Sequence, residues 1–284
     1  MGFDLTGLGQ WSDDREFKVE AAQAVAYAAA TNDTNPRHTS GELAPPVFAV
    51  VPVWEAMMAA AGRVTPPEVL IRVVHGSQDM RLHRAIVPGE VLRSRAAAVG
   101  VQVRGTGTTE VLKAETRDES GELVNEQYVT LFFRGVGEGD SGGEAAPEHK
   151  LSAEHKAAGP IAEITYLVDA DQTYRYADAS GDRMPIHIDD AIARSVGLPG
   201  IIVHGLCTMA FTGRAVIEAA CAGDPARLRR LAVRFSRPVL PGHEITTRIF
   251  DAGPTEGGLS AYGFETVNPE GQAVVKDGLA EVAG

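Results

Sequence analysis

Cysteine is nearly absent from this 284-residue chain: Cys207 and Cys221 are the only two. Two cannot build the disulfide framework of a small secreted domain or a cysteine metal cluster, so a reduced cytoplasmic protein is the expectation. No apolar run reaches the roughly 18–20 residues that span a bilayer, and membrane insertion is not expected. Positive charge is also short, with 26 Lys and Arg against 38 Asp and Glu, a formal charge of −12. Such a surface repels nucleic acid and anionic membranes, and neither is expected as a partner. It still leaves room for a small anionic ligand, for which a few local arginines suffice. The first ten residues lack the basic-then-apolar pattern of a secretory signal, and Glu281-Val282-Ala283-Gly284 is not a peroxisomal address. The histidines show no ligand spacing with carboxylates on one helical face, which disfavours a metal enzyme.

What the chain does have is an internal echo. Tyr27, Asp33, Pro36 and His38 recur as Tyr176, Asp182, Pro185 and His187 at a constant offset of 149. Further on, Arg81 to Gly89 matches Arg234 to Gly242 at a slightly larger offset, which places a short deletion in the first copy between His38 and Pro46. Each copy reads as a helical start, a D…H loop, a long apolar helix and several alternating strands. In the second copy the helix is expected over 205–220, apolar nearly all round and therefore buried. Strands are expected at 231–237, 244–253, 259–268 and 273–282, β-branched and bounded by Gly or Pro. Residues 135–159, rich in Gly, Glu and Ala, read as a linker between a first repeat at 1–134 and a second at 160–284. Composition and order say α+β.

The densest chemistry lies in Tyr176-Ala177-Asp178-Ala179-Ser180-Gly181-Asp182-Arg183-Met184-Pro185-Ile186-His187, followed by His204-Gly205 at the start of the apolar helix. This run resembles the R-specific enoyl-CoA hydratases, the hydratase 2 branch of the MaoC-like dehydratases. Their signature is an aromatic residue, G-D-x-N-P-x-H, and a downstream H-G. Met184 stands where that family usually has Asn. The resemblance implies a double hotdog, each repeat a long helix wrapped by an antiparallel sheet. It also implies a cofactor-free lyase of fatty-acid β-oxidation, acting on acyl-CoA thioesters as a homodimer.

Hydration of a 2-enoyl thioester needs a base for the attacking water, an acid for Cα, and donors for the enolate-like oxygen. Asp182 and His187, around one proline turn, can grip a single water from two sides. His187 is assigned as principal base and Asp182 as its partner, which orients the water and relays a proton to Cα. Gly205, at a helix N-terminus, offers an unpaired N–H to the oxyanion. Arg183, Met184, Pro185 and Ile186 complete the loop that meets substrate. His204 reads either as a helix-start residue or as part of the chemistry, and Cys207 as a core thiol. In the first copy the partners of His204 and Gly205 are Val51 and Pro52, and proline has no N–H. That copy is therefore expected to be silent, keeping only a role in holding the acyl chain and CoA. Its His75-Gly76 pair, Arg104 before Gly105-Thr106-Gly107, and the second copy's Phe235 match substrate-contact positions of the family, with Arg104 placed to meet a CoA phosphate. Two other readings are weighed: a hotdog acyl-CoA thioesterase, in which the carboxylate-held water attacks the carbonyl, and a non-catalytic acyl-CoA binder.

Overall fold

The computed structural model of the chain describes residues 2–284. In chain order the elements are β1 (Arg15–Lys18), α1 (Ala21–Ala30), α2 (Pro36–Thr39), α3 (Val50–Ala61), β2 (Val73–Leu82), β3 (Val91–Arg104), β4 (Gly107–Arg117) and β5 (Leu123–Arg134). There follow β6 (Gly142–Gly143), α4 (Ala153–Ala158), β7 (Ala162–Leu167), α5 (Gln172–Ser180), α6 (Asp190–Ser195), α7 (Gly205–Ala220), β8 (Leu228–Phe235), β9 (Glu244–Pro254), β10 (Ser260–Val267) and β11 (Ala273–Val282). The repeat is plain: β1, α1, α3 and β2–β5 recur in order as β7, α5, α7 and β8–β11. The helix expected over 205–220 has those bounds, and the four expected strands are all present, β8 starting earlier than expected, at Leu228. The deletion is α6. Between His38 and α3 the first copy has only the short turn Pro46–Ala49, whereas the second inserts a six-residue helix.

The chain gathers into two compact units that cross the repeat boundary. One holds the residues up to Lys18 with Pro52–Arg84 and Glu90–Glu148; the other holds Val19–Val51, Ala85–Gly89 and His149–Gly284. Within the first unit the strands run β1-β3-β4-β5-β2, all neighbours antiparallel. Within the second they run β8-β11-β10-β9-β7, again antiparallel, so equivalent strands hold equivalent places. The first unit's helix α3 buries Val53, Ala56, Met57 and Ala60, the spacing of one helical face. The fold is the expected double hotdog.

In the second unit α7 buries Leu206, Cys207, Met209, Phe211, Val216 and Ile217. Cys207 is fully covered, a core thiol as expected. At Gly213 an added Cβ would lie 2.9 Å from the Leu231 side chain of β8, so glycine lets helix and sheet approach closely. The two D…H loops leave helices that pack on each other, α1 and α5. Their contact is marked by the repeat-related Tyr27 and Tyr176, whose buried hydroxyls are 3.0 Å apart. Two apolar rings that share their polar tips can be buried without an orphaned hydroxyl.

Residues 135–159 are docked rather than loose. The Val99 carbonyl accepts the Glu144 N–H at 2.8 Å, and β6 pairs with Gly100 and Val101 of β3. A Cβ on Gly100 would fall 1.8 Å from the Glu144 oxygen. Farther on, Leu151 is buried against Gly263 and His149 Nδ1 donates to the Asp277 carbonyl at 2.6 Å. Together with β1, Gly9 and Ser12, which also bond β3, the segment covers a strand edge that would otherwise present unpaired amides.

Candidate active site

The D…H loop of the second copy is built by local chemistry. Helix α5 ends at Gly181, whose φ of 82° is left-handed and whose N–H returns to the Ala177 carbonyl. That cap turns the chain out of the helix and delivers Asp182. Its N–H donates to Ser180 Oγ at 3.2 Å, and its Oδ1 accepts the Met184 N–H at 3.1 Å. Met184 is extended, as a residue before proline must be, and Pro185 opens the short turn Pro185–His187. The position where the family usually has Asn therefore serves Asp182 through its backbone, which methionine supplies equally well. The residue itself is 44 % exposed. Arg183 is exposed and pairs with Asp178, and the Ile186 carbonyl accepts the Ile202 N–H at 3.3 Å.

His187 is buried, and its Nδ1 donates to the Ile202 carbonyl at 2.8 Å. That bond fixes the tautomer and leaves the lone pair on Nε2. Burial pushes its pKa below the usual 6.5, opposed by the Ile202 bond and the Asp182 charge, so the ring is a neutral base at pH 7. His204 lies face to face with it, centroids 3.8 Å apart at 25°. Burial, then the neighbouring His187, pushes His204 down to about 3. His204 is the N-cap residue of α7, as the helix-start reading expects, but its side chain makes no cap bond to the helix. Its Nε2 instead donates to the Asp182 backbone carbonyl at 3.0 Å. Gly205 is the first residue of α7, where an N–H has no intrahelical acceptor. A Cβ there would come within 3.3–3.5 Å of the Phe235 ring, so Phe235 roofs the glycine and leaves its backbone as the only group it can present.

One carboxylate oxygen of Asp182 and one nitrogen each of His187 and His204 lie within 4.8 Å of one another. Such a trio suggests a metal, but the stack argues against joint ligation by the imidazoles. A metal at 2.0–2.1 Å from each nitrogen would hold the two ring centroids roughly 4.5 Å or more apart. A water suits the gap better, because two hydrogen bonds of about 2.8 Å each reach across it.

The first copy holds the same residues in a different state. Asn32, with φ of 52°, takes the left-handed position of Gly181, and Asp33 Oδ1 accepts the Asn35 N–H at 2.9 Å just as Asp182 accepts from Met184. His38, however, has no carbonyl partner like Ile202. Its Nδ1 lies 2.7 Å from Asp33 Oδ2, with both side chains buried. Acid and imidazole grip each other, and no water fits between those atoms. Pro52 lies in the first turn of α3.

The structure thus brings Asp182, His187, Gly205 and Phe235 together in one unit, with Met184 at the loop's rim. His75, Gly76 and Arg104 belong to the other unit. His75 and Gly76 lie on β2 where its register against β5 slips by a residue. Arg104 ends β3, exposed, at the β3–β4 hairpin. Two contributors carried little sequence signal. Ile202 acts through a carbonyl, which every residue possesses, and His204 was visible only as half of an H-G pair.

A buried imidazole with a fixed tautomer, a carboxylate beside it and a helix-start glycine lie together on a hotdog, an arrangement able to do acid–base chemistry. Residues 152–264 match the MaoC like domain family, and residues 7–127 the FAS1-like, dehydratase domain region. The chain is 32 % identical to the 3-hydroxyacyl-thioester dehydratase Y of Mycobacterium tuberculosis over 100 % of both chains. To the probable enoyl-CoA hydratase 2 of Dictyostelium discoideum it is 29 % identical, covering 73 % of this chain and 69 % of that one. Its fold matches the crystal structure of a MaoC-like dehydratase from Phytophthora capsici at a TM-score of 0.86, with 24 % identity over 99 % and 98 % of the chains. The chain belongs to the MaoC-like dehydratases.

Proposed function

We propose that this protein reversibly hydrates trans-2-enoyl-CoA to (R)-3-hydroxyacyl-CoA at the second-copy site, without a cofactor. The observation that carries the reading is the tautomer of His187: with Nδ1 tied to Ile202, Nε2 is a bare base beside the Asp182 carboxylate. In the hydration direction a water lies between the two. As its oxygen bonds Cβ, His187 Nε2 takes one of its protons and the double-bond electrons move toward the thioester oxygen. The Gly205 N–H holds that oxygen while charge is on it, a kind of contact worth about 10²–10³ in rate. The proton then returns through the Asp182–His187 pair to Cα, and one water has been added. Asp182 is kept in place by the Met184 N–H, and Phe235 closes the pocket over Gly205.

The remaining assignments belong to the same reading. Arg183, Met184, Pro185, Ile186, Phe235, His75 and Gly76 are substrate contacts, and Arg104 meets a CoA phosphate. The second repeat is the catalytic domain and the first a degenerate binding domain, supported by the closed Asp33–His38 pair. A cytoplasmic homodimer working in fatty-acid β-oxidation completes the proposal. Among the described residues no helix is long and apolar enough to cross a membrane.

The test is an assay of enoyl-CoA thioesters that follows the conjugated enoyl absorbance and free thiol in parallel, with chiral analysis of the product. Asp182→Asn and His187→Gln are each expected to remove nearly all turnover with the fold intact, and the double variant to be little worse than either. Thiol release without loss of the alkene would make the protein a thioesterase. Near-parental kcat in either single variant would remove this loop from the mechanism.

A further inference from the structure

His204 links all three groups that the proposed mechanism uses. By hydrogen bond it holds the Asp182 carbonyl at 3.0 Å; by stacking it backs the His187 ring at 3.8 Å; by the peptide bond it precedes Gly205. Tyr176 closes the other side, its ring 4.8 Å from the His204 centroid. The His204 side chain does no capping for α7. It is only 1 % exposed, and its Nδ1 has no hydrogen-bond partner. A buried orphan of this kind costs about 1–3 kcal/mol and asks for an explanation. A phenylalanine would fill the same slot between Tyr176 and His187 without an orphan, so packing does not explain the imidazole.

We propose that His204 is a positioning residue of the hydration site: its Nε2–H pins the Asp182 backbone while its face carries the His187 ring, fixing the span in which carboxylate and base hold one water. The role needs a neutral ring. A second proton on His204 would place a positive charge against the base and oppose its taking a proton from water. The surroundings keep it neutral, since burial and the adjoining His187 hold its pKa at about 3. The orphaned Nδ1 follows from the same tautomer: donating from Nε2 leaves Nδ1 as a bare acceptor in an enclosed place. The groups facing the ring are His187, Tyr176 and the Asp182 carbonyl.

This inference rests on the assignment of Asp182 and His187, and the experiment separates the two. His204→Phe keeps an aromatic face and loses the donor; His204→Gln keeps an amide donor and loses the face. Each is expected to lower kcat about 10–100-fold, with KM for a short enoyl-CoA within about 3-fold, because the alignment lost is felt in the transition state. The acid limb of kcat/KM is expected to move in both, since the distance from Asp182 sets how strongly its charge raises the His187 pKa. A packing residue would lower Tm and leave the limb in place. Nitrogen-15 spectra of the unaltered protein supply a readout independent of any variant: His204 is expected as the neutral Nε2–H tautomer from pH 8 to pH 5. Parental kcat and pH profile in both variants, or a His204 that titrates near pH 6.5, would overturn the proposal. Inactive Asp182→Asn and His187→Gln beside fully active His204 variants would defeat the positioning role alone. Active Asp182→Asn or His187→Gln would defeat the site assignment beneath it.

Discussion

His187 and His204 show how strongly a residue's surroundings decide what its side chain is. Both have folded pKa values below 6.5 because burial disfavours the imidazolium, His204 down to about 3. The catalytic consequence is that kcat/KM should be flat near pH 7 and fall on the acid side, with a limb below 6.5, measured as a pH–rate profile. The stability consequence has the same sign. Below 6.5 the unfolded chain binds protons that the folded histidines refuse, so their contribution to stability is full above 6.5 and falls as pH drops. The slope approaches about 1.4 kcal/mol per pH unit for each such histidine. Urea melts from pH 7 to 5 should show this, and His187→Gln should flatten part of the slope. A slope that His187→Gln leaves unchanged across that range would contradict the burial argument.

At the scale of elements, the two D…H loops share a proline, an Asx turn at Asp33 or Asp182 and a left-handed helix exit, yet differ in what meets the imidazole. The carbonyl partner in the second copy comes from Ile202, on the segment that follows α6; the first copy lacks α6, and His38 turns to Asp33. Asp33→Asn should therefore leave kcat within a few-fold of the parent. It should cost roughly 1–3 kcal/mol of stability, read as a lower urea midpoint, because it weakens a buried hydrogen bond. A loss of turnover equal to that of Asp182→Asn would overturn the silent-copy reading.

On β4, Glu110 is fully buried and bonded by the Thr65 hydroxyl, and burial pushes its carboxyl up to about 7. The folded state keeps this proton when the unfolded state has lost it, between about 4.5 and 7, so this group lowers stability as pH rises through that window and no further above it. Glu110→Gln keeps the shape and a hydrogen-bonding oxygen and should gain roughly 1–3 kcal/mol relative to the parent at pH 8, but little at pH 4.5. Equal gains at both pH values would show that the carboxyl's ionisation is not the cause.

For the whole molecule, a net charge of −12 repels an anionic thioester at long range, so local arginines must supply the attraction. Arg104→Ala should raise KM for CoA thioesters more than it lowers kcat, since a phosphate contact is felt about equally in ground and transition states. Added salt should weaken binding by the parent more than by the variant. Pantetheine thioesters, which lack the nucleotide phosphates, should be turned over alike by both. Equal KM values with full CoA substrates would remove Arg104 from the site.

The sequence by itself determined the repeat, the helix over 205–220, the strands and the loop that carries Asp182 and His187. Those features are written in side-chain identity at short spacing: apolar periodicity, a proline that fixes the residue before it, a glycine that permits a left-handed exit. Pro52 in the sequence already marked the first copy as lacking a donor. Only the tertiary structure showed that the imidazole of one Asp–His loop is tied to its own carboxylate and that of the other to a backbone carbonyl. That difference turns on one carbonyl at Ile202, brought to His187 across 15 positions by a segment the first copy lacks. Carbonyls are the same in every residue, and their partners are set by where the chain returns in space. Residue types announced the loops and the missing donor; the path of the backbone set the partner of each imidazole.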